Sequence, residues 1–286
     1  MAFIEKVLVV VTFVFSLFLN VLAARGFLSA QSIGTVSSQY PTYLTPDMLT
    51  FLVWAVTYTL EGILVVMQCS TSESAEKALQ QRCCLTSLSV RWRLVIAFLL
   101  NALWLPLYAN MLFGKSMLVI LVYLVFLLLI YVDINTMTTC SLWQWVVYGS
   151  GVACNISWVL VATAANKFTL AASYGWMDAY GVAGTPHTAV LVIAILAAVS
   201  LLVATVRSDF AWSLVAVWFF GGLYRQHTVS DGSFPPEAMN RMLSLCALWA
   251  SVVVGMATAV GIFLIRDNGA FKSKDSKDSE LPLAAE

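Results

Sequence analysis

Long, uninterrupted apolar runs constrain this chain more than any other feature of its sequence. Residues 117–134, for example, contain no charged side chain before Asp133, and a helix needs only about 20 apolar residues to cross a bilayer. In hydrocarbon an unpaired backbone N–H or C=O is costly, so such a run must form a helix or belong to a closed barrel. The runs lack the two-residue alternation of barrel strands. They are therefore predicted to be transmembrane helices.

Eight runs are predicted to span the membrane. They lie near residues 7–24, 48–67, 94–113, 117–134, 143–165, 188–206, 210–224 and 243–265. The composition agrees, since 60% of the residues are hydrophobic and 10% are charged, whereas soluble domains are roughly one-quarter charged. The predicted fold class is an all-α integral membrane protein with about eight transmembrane helices, and its first partner is the lipid bilayer.

The first run has a second interpretation, as a cleaved signal peptide. Lys6 precedes it, and the small residues Ala23 and Ala24 stand at its end. The apolar region of a signal peptide usually has about 7–15 residues, and this run is longer. We therefore expect it to be retained as the first span.

Charge gives the orientation and excludes one class of partner. Fifteen basic and fifteen acidic residues balance, and without a block of like charge a nucleic-acid partner is not expected. Ten Lys and Arg residues fall in the segments on the side of the termini and five on the other side. The positive-inside rule therefore places both termini in the cytosol. Residues 267–286 mix charge, Ser and Gly, which predicts a disordered cytosolic tail.

Chemistry-bearing motifs are scarce. The sequence has no GxSxG, HExxH or Walker motif. Its two histidines, His187 and His227, lie in or beside predicted loops, and its six cysteines show no CxxC spacing. No catalytic residue, metal site or required cofactor is predicted, and we lean against an enzyme.

Three polar residues fall deep inside predicted spans, where such residues are costly and mark functional sites by default. They are Glu61, Asn101 and Asn155. Glu61 has two interpretations: an intramembrane proton or polar site, or a carboxyl that is hydrogen-bonded to a neighbouring helix. Asp133, at the end of its run, is expected to reach water.

Ten tryptophans are the other unusual feature. Some flank span ends and fit the aromatic belt at the headgroups, namely Trp92, Trp143, Trp145 and Trp212. Others fall further inside, where an indole needs a hydrogen-bond partner and its ring can face a planar ligand or simply pack: Trp54, Trp104, Trp158, Trp218 and Trp249. Small residues repeat every four positions at 149–157 and 251–259, which indicates that these helices pack closely against their neighbours. The second stripe has an alternative interpretation, as a homodimer interface.

Three segments, in order, resemble one known family, the tryptophan-rich sensory protein family, also called the translocator protein or peripheral benzodiazepine receptor family. Residues 45–58, TPDMLTFLVWAVTY, resemble its PP-x4-F-x2-VW-x3-Y motif. Residues 99–108, LLNALWLPLY, are similar to its LLNALWSPLFF motif. Residues 158–166, WVLVATAAN, keep the spacing of its AWVSFATYLN motif.

The resemblance implies a five-helix membrane core over residues 1–168, followed by three additional helices over 169–266. It also implies a pocket that binds a porphyrin, a haem-like tetrapyrrole, a sterol or an aromatic drug. The ligand-binding residues carried over by motif are Trp54, Tyr58, Asn101, Trp104, Trp158, Ala162 and Thr163. Aromatic walls with a few polar groups suit such a ligand.

This sequence departs from the family pattern at several positions. Thr45 replaces the first of two prolines, Glu61 stands where the family usually has an apolar residue, and the family's sterol-recognition pattern is absent after Asn166. The leading prediction is a membrane protein that binds, and transports or senses, a hydrophobic planar molecule. The alternatives are a structural or assembly subunit of a membrane complex and, less favoured, a porphyrin-modifying enzyme.

Overall fold

The fold is known from a computed structural model, which describes residues 2–29, 31–69, 73–83, 85–135, 142–228 and 237–267. Within these ranges the regular structure is helical, apart from isolated β-bridges between loops. The helices are α1 (Ala2–Ala24), α2 (Ile33–Gln39), α3 (Val53–Met67, after a 3-10 turn at Met48–Leu52), α4 (Glu73–Gln80), α5 (Val90–Ala109), α6 (Phe113–Asn135), α7 (Leu142–Tyr148), α8 (Ser150–Ser173), α9 (Pro186–Val206), α10 (Phe210–Thr228) and α11 (Glu237–Asp267). The predicted tail lies outside the described residues, apart from Asp267, the last residue of α11.

Six helical segments are long and apolar enough to cross a membrane: α1, the 3-10 turn with α3, α5, α6, α9 and α11. This confirms the all-α integral membrane class. The other two predicted spans correspond to α8 and α10, with 24 and 19 residues. They fall short in apolar composition, so the count of eight spans stays a prediction.

Helix α8 is less apolar because it lies inside the bundle. It contacts α3, α6, α7, α9 and α10, and every residue from Ser150 to Val159 is buried. A helix that faces other helices on all sides needs no lipid-facing stripe, so Asn, Ser and Thr side chains are accommodated where they find partners. The predicted span 143–165 is also divided, because α7 ends at Tyr148 and α8 begins at Ser150.

One end of the bundle, here called the Lys6 end, is held by buried arginines. The guanidinium groups of Arg91 and Arg93 are fully buried at the start of α5. Arg91 pairs with Glu76 of α4 at 2.7 Å, and Arg93 pairs with Asp133 of α6 at 2.5 Å. Asp133 is thus an ion-pair partner and not, as expected, a residue that only reaches water.

Other contacts place the start of α1 and the end of α11 at this same end. Lys6 lies 3.2 Å from Glu76, and Tyr131 of α6 donates a hydrogen bond to Asp209 before α10 at 2.8 Å. Near the end of α11, Gly261 approaches Ser208. An even number of membrane crossings is consistent with this arrangement.

At the opposite end the first loop folds over the bundle. Ala183 N, in the loop before α9, donates to Pro41 O at 2.9 Å. Asp47 accepts hydrogen bonds from Arg225 at 2.7 and 3.0 Å, and Tyr43 donates to Asp178. The hydrogen bonds from Arg225 hold the pKa of Asp47 below its usual value.

Candidate ligand-binding site

Helix α3 places the predicted residues on one face. Trp54, Tyr58 and Glu61 follow one another at spacings of four and three residues, which in an α-helix puts them on the same side. Apolar neighbours Val53, Leu64 and Val65 on α3 are buried. The face that carries the site is therefore also the face that packs against the bundle.

Four of the predicted residues form one aromatic cluster with Trp54 at its centre. The ring of Trp54 stacks on Tyr58 with centroids 5.1 Å apart. It lies 6.2 Å from Trp104 of α5 and 6.2 Å, edge to face, from Trp158 of α8. Phe51 and Phe219 extend the cluster on the far side of Trp158, at 5.7 and 6.4 Å. The rings fill the site by packing against one another.

A polar group of three residues lies beside the cluster. Asn20 Nδ2 donates to the Tyr58 hydroxyl at 2.6 Å, and Asn101 Nδ2 approaches the same oxygen at 3.3 Å. The predicted Asn101 thus lies beside Tyr58. Asn20 was not predicted, although it is a buried amide within the first apolar run and could have been found by the rule that selected Asn101.

The indole N–H groups of the cluster differ in their partners. Trp104 Nε1 lies 3.4 Å from Asn166 Oδ1, an oxygen that also accepts from Ser116 at 2.9 Å. Trp158 is 3% exposed, and its Nε1 has no hydrogen-bond partner within the protein. A buried, unpaired N–H costs roughly 1–3 kcal/mol, so Trp158 has a hydrogen-bond donor that the protein's own groups leave unused.

The last two predicted residues follow Trp158 along α8 by about one turn. Ala162 is half-buried and packs on the core. Thr163 is mostly buried, and its hydroxyl donates to Val159 O at 2.7 Å within its own helix. The hydroxyl hydrogen of Thr163 is therefore already used.

Glu61 lies in a second polar group, here called the Glu61 site, with Asn155 of α8 and Tyr123 of α6. Asn155 Nδ2 lies 2.6 Å from both Glu61 Oε1 and the Tyr123 hydroxyl. Glu61 is 2% exposed, and Asn155 and Tyr123 are 0% exposed. The carboxyl is therefore hydrogen-bonded to a neighbouring helix, and Tyr123 is a member of the site that sequence reasoning missed.

Gly151 allows α8 to approach α3 closely beside Glu61. A Cβ atom at this position would lie 2.8 Å from Glu61 N and 2.9 Å from Leu60 C. Both are backbone atoms, so a side chain here would force the helices apart. The predicted small-residue stripe began at Gly149, but the closest approach to α3 is at Gly151, where the spacing rule gave no signal.

Two tryptophans have surroundings that their place in the sequence did not predict. Trp212 was assigned to the headgroup belt, yet it is 5% exposed and packs on Tyr131. Trp249 was placed further inside its span, and there it is 65% exposed on the outer side of α11. A cavity of about 320 Å³ lies away from the cluster, where the turn between α5 and α6 meets the end of α8.

The geometry defines a class: an α-helical membrane bundle with a buried aromatic cluster flanked by polar side chains. Among the described residues, no group of three His, Cys, Asp or Glu side chains could hold a metal ion. A family model described as TSPO-like protein matches residues 6–265. The chain belongs to this family of TSPO-like proteins, and the match extends past residue 168 into α9, α10 and α11. Comparisons with curated proteins and with solved structures found no match.

Proposed function

We propose that this protein binds a hydrophobic, planar small molecule at the aromatic cluster, with a porphyrin or related tetrapyrrole as the first candidate and a sterol-like molecule as the second. The observation that carries the proposal is the arrangement of three tryptophans from three helices: the rings of Trp104 and Trp158 each lie 6.2 Å from the ring of Trp54. Membership of the TSPO-like family supports it.

A planar ligand fits this cluster for two physical reasons. Aromatic rings interact favourably with other aromatic rings in stacked or edge-to-face geometry, beyond the area they bury. The unpaired Nε1 of Trp158 also needs an acceptor, which a heteroatom of the ligand would supply.

Entry of the ligand requires a ring to move, because the cluster is packed. Trp54 is the ring that we expect to move, since it is only half-buried and stacks on Tyr58. We propose that the ligand displaces Trp54 from Tyr58 and takes its place against Trp158. Binding to the protein, whether for sensing or for transport, begins with this exchange.

The test is protoporphyrin binding to the purified, detergent-solubilised chain, followed by quenching of tryptophan fluorescence. The site variant carries Trp54→Phe and Trp158→Phe. The matched control carries Trp143→Phe and Trp249→Phe, which removes two tryptophans that are each 65% exposed outside the cluster. We expect saturable binding by the wild type and by the control, and affinity at least about tenfold weaker in the site variant, a loss of about 1.4 kcal/mol.

Equal affinity in the site variant and the control would place the ligand elsewhere and contradict the proposal. Asn101→Ala refines the result, because it removes an amide beside the Tyr58 hydroxyl without changing the number of tryptophans. Its effect on affinity should be in the same direction and smaller. Competition by a sterol in the same assay decides between the two ligand classes.

The orientation belongs to the same proposal. Both chain termini lie on the cytosolic side, as the distribution of Lys and Arg favours and as the meeting of Lys6 with Glu76 at one end of the bundle supports. Labelling of Cys69, which is exposed at this end, by an impermeant thiol reagent tests the assignment in sealed vesicles of known sidedness. Labelling from the extracytosolic side would contradict it.

A further inference from the structure

The Glu61 site contains more hydrogen-bond acceptors than the protein satisfies. Glu61 Oε2 and Asn155 Oδ1 have no hydrogen-bond partner within the protein, and neither has the hydroxyl oxygen of Thr57, which lies one turn before Glu61 on α3. The three residues are at most 2% exposed. Buried polar atoms are normally paired, because each one that is not paired keeps the cost of its desolvation. The site therefore has the chemistry to receive a donor.

Positive charge is also lacking at this site. In the described part of the chain, no Lys, Arg or His forms an ion pair with Glu61. The two buried arginines are occupied by Glu76 and Asp133. The ionisable groups that interact with Glu61 electrostatically are Tyr58 on its own helix, Tyr123 on α6 and Cys154 on α8, none of which carries a positive charge in any protonation state. A carboxylate at this position would pair with a cation brought by a ligand, through charge-assisted hydrogen bonds.

The Glu61 site lies next to the aromatic cluster on α3. Glu61 follows Tyr58 by three residues and Trp54 by seven, so that the same face of the helix carries all three. The rise from Trp54 to Glu61 is about 10 Å. The faces of Trp and Tyr rings attract cations. A ligand seated at the cluster can therefore direct a charged group towards Glu61.

We propose that the Glu61 site recognises a protonated nitrogen of the ligand, so that the preferred ligand is a planar aromatic amine with a positive charge. An ammonium or protonated ring nitrogen donates to Glu61 Oε2, and its remaining N–H groups serve Asn155 Oδ1 and Thr57 Oγ1. Hydrogen bonds between charged partners are shorter and stronger than those between neutral ones. The inference rests on the proposed function, because the aromatic cluster holds the body of the ligand.

This inference ranks ligand classes in an order that hydrophobicity alone would not give. A cationic amine satisfies both the cluster and the carboxyl. A neutral aromatic of the same shape satisfies the cluster alone and leaves the three acceptors unpaired. A tetrapyrrole with acidic side chains must direct its carboxylates away from Glu61, because like charges in a buried site repel strongly.

The experiment uses a matched pair of probes with the full chain in nonionic detergent at neutral pH. 9-Aminoacridine is protonated under these conditions, whereas acridine has the same three fused rings and no charge. Binding is measured by calorimetry for the wild type, for Glu61→Gln, and for Glu73→Gln as the control. Glu73 carries an exposed carboxyl on α4, paired only with the exposed Lys77.

We expect the wild type and Glu73→Gln to bind the aminoacridine at least about tenfold more tightly than acridine, as one charge-assisted bond would give. Glu61→Gln should lose this difference while its affinity for acridine stays the same. The neutral probe thus shows that the variant is folded and that its cluster is intact.

The outcomes separate the two proposals. If acridine binds and the ratio of the two affinities is the same in the wild type and in Glu61→Gln, the cationic ligand is wrong and the planar-ligand site stands. If neither probe binds the wild type, both proposals fail. If Glu61→Gln does not fold, Thr57→Val decides, because it removes one unpaired acceptor at nearly constant volume. It should lower the ratio by about threefold, and an unchanged ratio would overturn the inference.

Discussion

Two regions of this molecule bury ionisable side chains, and these side chains differ in how fully they are paired. In the arginine cluster at the Lys6 end, Arg91 donates to Gln68 at 3.0 Å and to both oxygens of Glu76 at 2.7 and 2.8 Å. Arg93 donates to Leu129 O at 2.8 Å and to Asp133 at 2.5 Å. In the Glu61 site, by contrast, one carboxyl oxygen and one amide oxygen have no partner in the protein.

The arginine cluster is fully paired and stabilises the fold, whereas the Glu61 site keeps hydrogen-bonding capacity that a donor could use. Removing one partner of a satisfied buried pair leaves the other charge uncompensated, whereas a site with unpaired acceptors gains when a donor enters. Helix α3 links the two regions, since Gln68 at its end accepts from Arg91 and follows Glu61 by seven residues. The end of α3 therefore contacts the arginine cluster, and its middle carries the Glu61 site.

Breaking the arginine cluster should have the largest effect on stability. Arg93→Met removes the donors to Leu129 O and Asp133 and with them the ion pair to Asp133. We expect the free energy of unfolding in detergent to fall by roughly 3–5 kcal/mol. Lys77→Met, which breaks an exposed pair with Glu73 on α4, is the control and should have no measurable effect. Similar losses in the two variants would mean that burial does not distinguish these ion pairs.

Forcing α3 and α8 apart should have the second largest effect, and it acts on the Glu61 site. Gly151→Ala introduces a Cβ within 2.8 Å of Glu61 N. Overpacking of this kind costs roughly 1–3 kcal/mol, which outweighs the gain in helix propensity of about 1 kcal/mol. Gly114→Ala in α6 is the matched control, because a Cβ there meets no atom within 4 Å. If unfolding measurements show both variants to be stabilised, the close approach at Gly151 is wrong.

Replacing the carboxyl of Glu61 by an amide should change stability far less than removing the guanidinium of Arg93. In Glu61→Gln the side-chain carbonyl still accepts from Asn155 Nδ2, and the new amide hydrogens reach a site with unpaired acceptors. We expect the free energy of unfolding to change by less than about 1 kcal/mol, or to rise. A loss as large as that of Arg93→Met would show that the Glu61 site is a structural anchor too.

The sequence predicted those parts of the fold that contact with lipid determines. Apolar runs located the membrane helices because a lipid-facing helix must be apolar along its length. An apolar run also predicted a span at 143–165, but it did not show that α8 lies inside the bundle, where its residues from Ser150 to Val159 are all buried. Its central position depends on which helices surround it, and spacing within one segment contains no such information.

Site residues were predicted where the residue type is rare within an apolar run. They were missed where only the contact with a partner residue reveals them. Glu61 and Asn101 stood out because polar residues are rare within apolar runs. Tyr123 did not, because a tyrosine in a span is ordinary until its hydroxyl meets Asn155. Arg91 and Arg93 precede the predicted span 94–113, and nothing in that segment indicates their burial, because it depends on Glu76 and Asp133, which lie 15 and 40 positions away.

A third ion pair, which is partly exposed, should have the smallest effect on stability. It extends the comparison from buried pairs to a pair that water can reach. Asp47 and Arg225 join the first loop to the end of α10, with side chains that are 19% and 39% exposed. Such a pair contributes less than about 1 kcal/mol, because water screens it. Asp47→Asn keeps an N-cap residue for the turn at Thr50. Its loss of stability at neutral pH should therefore be a small fraction of that in Arg93→Met.

The pH dependence of stability identifies the contribution of the ion pair between Asp47 and Arg225. Hydrogen bonds from Arg225 lower the pKa of Asp47 in the folded protein below its ordinary value of 3.8. The unfolded chain therefore binds a proton more readily, so the stabilisation is complete well above pH 3.8 and is lost as the pH falls through the lower, folded-state pKa. The difference in melting temperature between wild type and Asp47→Asn should shrink over that acidic range, and it should already be absent at neutral pH in an Arg225→Gln background. A difference that persists unchanged in that background would mean that Asp47 acts through the helical turn and not through the ion pair.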